Sequence, residues 1–248
     1  MWHDDDMSPL RHIVLVHGAW HGAWCFSALQ SELDRRGVPS YAIDLPGHGA
    51  STEPLGGFTD DVEAVRRFVA VLADRGITDP VLVGHSYGGA VVSAAAAQSP
   101  PVDSLVYLAA FALHQGESVL SAMSTFPRHE VALGAAIRIR DDGTSVLDPL
   151  LAGPALYGSC SRTASMAAIE RLTPQPMATM AAELTSSALG RVRSTYVICS
   201  EDRAVHPVHQ CIMAERCTNS ITLKTDHSPF VSMVTETADV LENCARRP

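Results

Sequence analysis

The chain has 248 residues, 46% of them hydrophobic and 18% charged, with a formal net charge of -9. That length suits one α/β domain with a large core. The acidic balance, and the lack of any apolar run near the ~18 residues that cross a bilayer, set aside nucleic acid and membrane as partners.

Residues 1–12, with Asp4, Asp5 and Asp6, contain no hydrophobic signal core and read as a loose solvated arm. Cys25, Cys160, Cys199, Cys211, Cys217 and Cys244 are scattered without a Cys-x-x-Cys pair, so free thiols in a reducing cytoplasm are expected. From residue 12 onward, apolar runs alternate with helical patterns, as in a mostly parallel sheet covered by helices on both faces. His12–Val16 reads as the first strand and Ser27–Arg36 as an amphipathic helix ended by Gly37. Ser40–Leu45 is the second strand. A helix from a Thr59 cap to Arg75 follows, with acidic residues in its first turn, where the helix dipole favours them.

Val81–Gly84 is the third strand, and it runs straight into Gly84-His85-Ser86-Tyr87-Gly88 and then the stretch Ala90–Ala97. A serine on such a strand-to-helix turn has its hydroxyl lifted above the sheet edge. The glycines allow strained angles and close packing of strand and helix, and the helix N-terminus favours an anion beside the serine. Ser104–Ala109, Thr195–Cys199 and Ile221–Lys224 complete six strands, and a last helix covers Phe230–Ala245. The rhythm breaks over residues 112–193, which carry five prolines at 127, 149, 154, 174 and 176. A connection of about 80 residues is too long for a plain loop, and it is expected to form a mostly helical cap on a core of residues 13–111 and 194–248.

A serine hydroxyl needs a neighbouring base, and that base needs a carboxylate to orient it. With a serine turn of this kind, acid and base follow later in the chain, in that order. Strand 195–199 runs into Ser200-Glu201-Asp202, and strand 221–224 into Thr225-Asp226-His227. Parallel strands end on one edge, so Ser86, Asp202 and His227 can meet there. Glu201 and Asp226 are rival acids; Asp202 is favoured by its position past the strand, and Asp226 faces away from its neighbour His227. Among the other histidines, His85 lies within the turn, and His17 and His21 bracket the loop Gly18-Ala19-Trp20. Two backbone amides should receive the oxyanion: Tyr87, after the nucleophile, and Ala19, after the flexible Gly18. Substrate-pocket candidates are Gly18, Trp20, Phe111, Phe126, Leu156, Met166, Met180 and Ser228, with Leu120 and Met123 beside them. His206 and His209 lack a third partner, so neither a metal nor any other cofactor is expected.

Val16-His17-Gly18-Ala19-Trp20-His21-Gly22, Asp44-Leu45-Pro46-Gly47-His48-Gly49, Gly84-His85-Ser86-Tyr87-Gly88-Gly89, Tyr196 to Asp202 and Asp226-His227 together resemble the α/β-hydrolase superfamily. More narrowly they resemble its branch of plant methylesterases, hydroxynitrile lyases and bacterial carboxylesterases, including pyrethroid-hydrolysing ones. The resemblance implies the α/β-hydrolase fold, a Ser86–His227–Asp202 triad and Ala19 and Tyr87 as oxyanion donors. It implies a serine carboxylesterase, and it allows a homodimer formed through the cap; the apolar pocket candidates point to a small, largely apolar ester, with a lactone or thioester hydrolase, a lyase or cyclase on the same fold, and a low-turnover ligand-binding protein as the alternatives. Lyases of the branch carry threonine and lysine where Gly18 and Ser228 stand here, so cyanohydrin cleavage is disfavoured.

Overall fold

The computed structural model describes residues 10–246, so most of the expected N-terminal arm lies outside the described residues. Its last part is tied down: Arg11 N–H donates to Ala245 O at 2.8 Å, and the Arg11 guanidinium sits 2.8 Å from Asp103.

Six strands form one sheet: β1 (Ile13–Val16), β2 (Ser40–Ile43), β3 (Val81–His85), β4 (Ser104–Leu108), and, after a long excursion, Arg193–Cys199 and Asn219–Leu223. Between β1 and β2 lies α1 (Ser27–Arg35), entered through a 3-10 turn at Ala23–Phe26. α2 (Phe58–Asp74) and α3 (Gly88–Ala96) flank β3. The excursion holds α4 (Val119–Thr125), α5 (Ala132–Ala136), β5 (Ile137–Ile139), β6 (Thr144–Leu147), α6 (Pro149–Leu156), α7 (Arg162–Ile169), β7 (Gln175–Pro176) and α8 (Ala178–Ala181). The chain then returns as β8 (Arg193–Cys199), α9 (Pro207–Ala214), β9 (Asn219–Leu223), α10 (Pro229–Ser232) and α11 (Val234–Ala245). Strand order is β2-β1-β3-β4-β8-β9, every pairing parallel.

The central strands are apolar on both faces because both faces are covered. Ile13 and Leu15 of β1 pack with Leu29 and Leu33 of α1 and Leu241 of α11, while Val14 and Val16 face Val65 and Val69 of α2 and Val91 of α3. Period-two alternation thus divides one continuous run between two cores.

Three expectations need correction. Helix α2 is capped at Gly57, whose amide is held by the Asp60 carboxylate at 2.7 Å, and not at Thr59. The last helix is broken at Met233, whose φ of -136° is not helical; Ser232, at the end of α10, donates from Oγ to Asp226 Oδ1 at 2.9 Å. Residues 112–193 are also less helical than expected, since β5, β6 and β7 form an antiparallel sheet. Gly143 at φ 78° turns the β5–β6 hairpin, and Asp142 Oδ1 holds the Thr144 amide and hydroxyl.

The approach of α3 to β1 is backbone on backbone. A Cβ on Gly88 would stand 2.5 Å from Val16 O, at the end of β1, and 2.6 Å from His17 O, both backbone atoms. Gly88→Ala should therefore cost about 1–3 kcal/mol or more, as overpacking does. Urea unfolding measures this, and a midpoint equal to that of the unsubstituted chain contradicts the packing described.

Candidate active site

Ser86 sits between β3 and α3 with φ at 52°, a left-handed angle that non-glycine residues rarely adopt. Its backbone is clamped from three sides. Ser86 N–H donates to Leu108 O at 3.2 Å, and Ser86 O accepts from Gly89 N–H and Phe111 N–H, each at 3.0 Å. Gly84 is required beneath it, because a Cβ there would lie 2.5 Å from Gly88 O.

The loop after β1 approaches from the side. A Cβ on Gly18 would stand 2.9 Å from Ser86 Cβ, so only glycine lets the loop lie this close. His17 Nδ1–H donates to Gly18 O at 2.8 Å, while His17 Nε2 accepts from Leu45 N–H at 3.1 Å. This fixes the Gly18–Ala19 peptide plane, and in a trans peptide the Ala19 N–H then points opposite to the held carbonyl. Neither Ala19 N–H nor Tyr87 N–H has an acceptor among the described residues. Two unpaired amides thus flank the Ser86 turn, as required for stabilising an oxyanion.

His227 lies beyond β9, with its ring centroid 4.5 Å from that of His85, the residue before Ser86. His85 Nε2–H donates to His227 O at 2.9 Å, which ties the two loops together. His227 Nδ1 is 2.7 Å from Asp202 Oδ2, in a pair that is almost fully buried. A carboxylate accepts, so Nδ1 carries the proton and the Nε2 lone pair is left for a base's role. No hydrogen bond joins Ser86 Oγ to His227 among the described residues. Such contacts are commonly loose without substrate and tighten when it binds.

Asp202 is distinguished from its rivals by its partners. Its Oδ1 accepts from Ala204 N–H at 2.7 Å and Val205 N–H at 3.0 Å. Glu201 is exposed. Asp226 is consumed elsewhere, accepting from Ser228 N–H, Ser232 Oγ–H and Ser159 N–H. Sequence reasoning missed Gln210 of α9. Its Nε2 donates to Asp202 Oδ2 at 2.7 Å and to Val205 O at 2.7 Å, and its Oε1 accepts from Cys199 N–H at 2.9 Å. The only available sign was a glutamine on an otherwise apolar helix face.

Ser86 opens into a cavity of about 200 Å³ whose walls include Trp20, Phe111, Leu120, Met123, Ile137 and Met180. A larger groove of about 780 Å³, lined by Tyr157, Arg162 and Arg203 among others, does not contain Ser86, so position beside the hydroxyl marks the smaller cavity as the relevant one. Of the pocket candidates, Trp20, Phe111 and Met180 line the cavity, whereas Gly18, Phe126, Leu156, Met166 and Ser228 are not among its walls. Gly18 lies against Ser86 instead. Phe126 packs under Arg216 and beside His209, Leu156 is buried in the core, and Met166 is 52% exposed on α7. Ser228 is buried, with its hydroxyl unpartnered. Apolar character gave no clue to which side of the 112–193 segment faces the serine.

The surrounding histidines are held uncharged. Burial lowers His17 to about 3 and His21 to about 4, with neighbouring histidines adding to the effect, and it lowers His85 well below the usual range. Burial also raises the Asp61 carboxyl to about 7; this group accepts from Tyr87 Oη–H at 2.5 Å.

The chain matches the alpha/beta hydrolase family over residues 13–240. It is 29% identical to an alpha/beta hydrolase, nvfD, of Aspergillus novofumigatus, covering 94% of this chain and 96% of the relative. It is 32% identical to the putative methylesterase 11, chloroplastic, of Arabidopsis thaliana, covering 92% of this chain and 62% of the relative. The crystal structure of a pyrethroid hydrolase from Sphingobium faniae JZ-2 superposes with a TM-score of 0.82 at 22% identity, over 96% of this chain and 98% of that one.

The buried histidines predict a pH dependence. Their unfolded value is 6.5, and their native values are about 3 and about 4 for His17 and His21. Below pH 6.5 the unfolded chain therefore gains protons that the native site refuses, and stability falls down to about pH 4. Asp61 opposes this, since its native carboxyl, raised from 3.8 to about 7, keeps a proton that the unfolded chain releases. The histidines outnumber it, so stability should drop on acidification from pH 6.5 to 4.5, by about 1.4 kcal/mol per pH unit for each net proton. Urea midpoints across that range measure it; a midpoint that rises toward acid contradicts it.

Proposed function

The chain belongs to the alpha/beta hydrolase family, and from that premise we propose that it hydrolyses a carboxylic ester of a small, largely apolar molecule through an acyl-enzyme on Ser86. The observation that carries this reading is the His227–Asp202 hydrogen bond beside the Ser86 turn, with the imidazole in the tautomer that leaves Nε2 free to accept a proton. Relatives named as esterases support the choice of reaction.

Substrate enters the apolar cavity with its carbonyl over Ser86. As Ser86 Oγ attacks the carbonyl carbon, its proton passes to His227 Nε2, and the imidazolium that forms is stabilised by Asp202. Negative charge gathers on the carbonyl oxygen, which accepts from Ala19 N–H and Tyr87 N–H. The tetrahedral species collapses, the bond to the alcohol oxygen breaks, and His227 returns the proton to the leaving alcohol. Water then attacks the acyl carbonyl while giving a proton to His227. The acid departs, and the proton returns to Ser86 Oγ.

Cavity walls constrain the substrate. Leu120, Met123, Ile137 and Met180 come from residues 112–193, which we assign as the cap. A cavity of about 150 Å³ holds benzene, so one of about 200 Å³ suits a group a little larger than a phenyl ring. No wall residue carries a cation, which favours an uncharged group over a free carboxylate or phosphate.

Hydrolysis of p-nitrophenyl butyrate by the whole chain tests the proposal. Turnover should fall at least about a thousandfold in Ser86→Ala and in His227→Ala, with folding retained. Turnover that survives in Ser86→Ala overturns the assignment of the nucleophile.

A further inference from the structure

Trp20 is a bulky residue held at φ 64°, and the serine turn does not explain that angle. What holds it comes from the 112–193 segment. Trp20 Nε1–H donates to Ser145 Oγ of β6 at 3.1 Å. Trp20 N–H donates to Gln175 Oε1 of β7 at 3.4 Å, and Trp20 O accepts from Thr173 N–H at 2.8 Å. The line continues inward, since Ser145 Oγ–H donates to Gln175 O, Gln175 Nε2–H to Thr179 Oγ1 and Thr179 Oγ1–H to Pro176 O. Ser145, Gln175 and Thr179 are each at most 1% exposed. A buried, fully paired line of this kind is rigid.

A second tether runs through His21. Its Nδ1–H donates to Ala19 O at 2.7 Å, and its Nε2 accepts from Tyr157 Oη–H at 2.7 Å. Because burial keeps His21 neutral, this tautomer fits both partners. Both ends of the Ala19–Trp20 peptide are therefore gripped by groups anchored in the segment: its carbonyl by His21 and Tyr157, its N–H by Gln175. The adjoining peptide carries the unpaired Ala19 N–H.

We propose that Ser145, Gln175 and Tyr157 are positioning residues for the oxyanion, acting through Trp20 and His21 to aim the Ala19 amide at the carbonyl oxygen above Ser86. The cap then contributes to the chemical step as well as to the pocket wall. This inference rests on the ester-hydrolase reading given above.

The experiment compares Ser145→Ala and Tyr157→Phe with the unsubstituted chain and Ser86→Ala, reading kcat and KM on p-nitrophenyl butyrate and amide hydrogen exchange over residues 17–22. An amide that is off target loses transition-state binding and leaves ground-state binding intact. Ser145→Ala and Tyr157→Phe should each lose about ten- to a hundredfold in kcat with KM nearly unchanged. Exchange over 17–22 should rise, and Ser145→Thr, which restores a hydroxyl, should recover most of the rate. A role limited to docking the segment would raise KM and leave kcat alone; that result in folded Ser145→Ala and Tyr157→Phe overturns the inference. Should Ser145→Ala not fold, Tyr157→Phe decides by the same readings. If the unsubstituted chain fails to turn over esters, or Ser86→Ala retains turnover, the ester-hydrolase reading fails separately. Exchange over 17–22 then decides whether the segment orders the loop, and an unchanged rate in Ser145→Ala overturns that too.

Discussion

The end of β1 and the turn after β3 meet with almost nothing between them, and the rest of the site depends on that contact. Gly88 lies against the carbonyls of Val16 and His17, and Gly18 lies against the Ser86 side chain. The contact is steric and non-negotiable, because backbone atoms locked in a parallel sheet cannot yield to a methyl group. It brings Ala19, Tyr87 and Ser86 to the wall of one cavity from the ends of two strands that are neighbours in the sheet. The oxyanion site proposed above needs donors fixed before charge develops, and two pinned peptides are suited to that without mobile side chains.

Around this contact the protein uses histidine as a neutral hydrogen-bonding part. His17, His21 and His85 are buried, each with one nitrogen on a backbone carbonyl. A charged ring in any of these places would repel the imidazolium proposed for His227 during turnover. Burial removes that conflict by keeping these three rings unprotonated. The same arrangement makes the native state less tolerant of acid.

The sheet and the serine turn were legible because their signals are local. Val81 to Gly88 reads as strand, strained turn and helix start within eight residues, and Ile13 to Val16 is a short apolar run closed by a glycine-containing loop, which reads as a strand covered on both sides. The pairing of Asp202 with His227 was legible for another reason: chain order and the shared edge of parallel strands restrict where partners can stand. The segment 112–193 was not. β7 has two residues, one of them proline, and it exists only because Ser145 and Gln175 pair across a distance in sequence that no local pattern encodes. Apolar residues there divide between the cavity, as Met180 does, and the surface, as Met166 does, and composition does not distinguish them. Gln210 escaped notice because its role is defined by Asp202, Val205 and Cys199 together, atoms that only the fold assembles.

The central claim is that one hydroxyl, on Ser86, is made nucleophilic by His227. Labelling with an alkyl fluorophosphonate followed by peptide mapping tests it most directly, since the serine oxygen displaces fluoride and keeps the phosphonyl group. The account predicts a single adduct on the peptide containing Ser86, formed far more slowly in His227→Ala. An adduct on another residue, or equal labelling of Ser86→Ala, would contradict it.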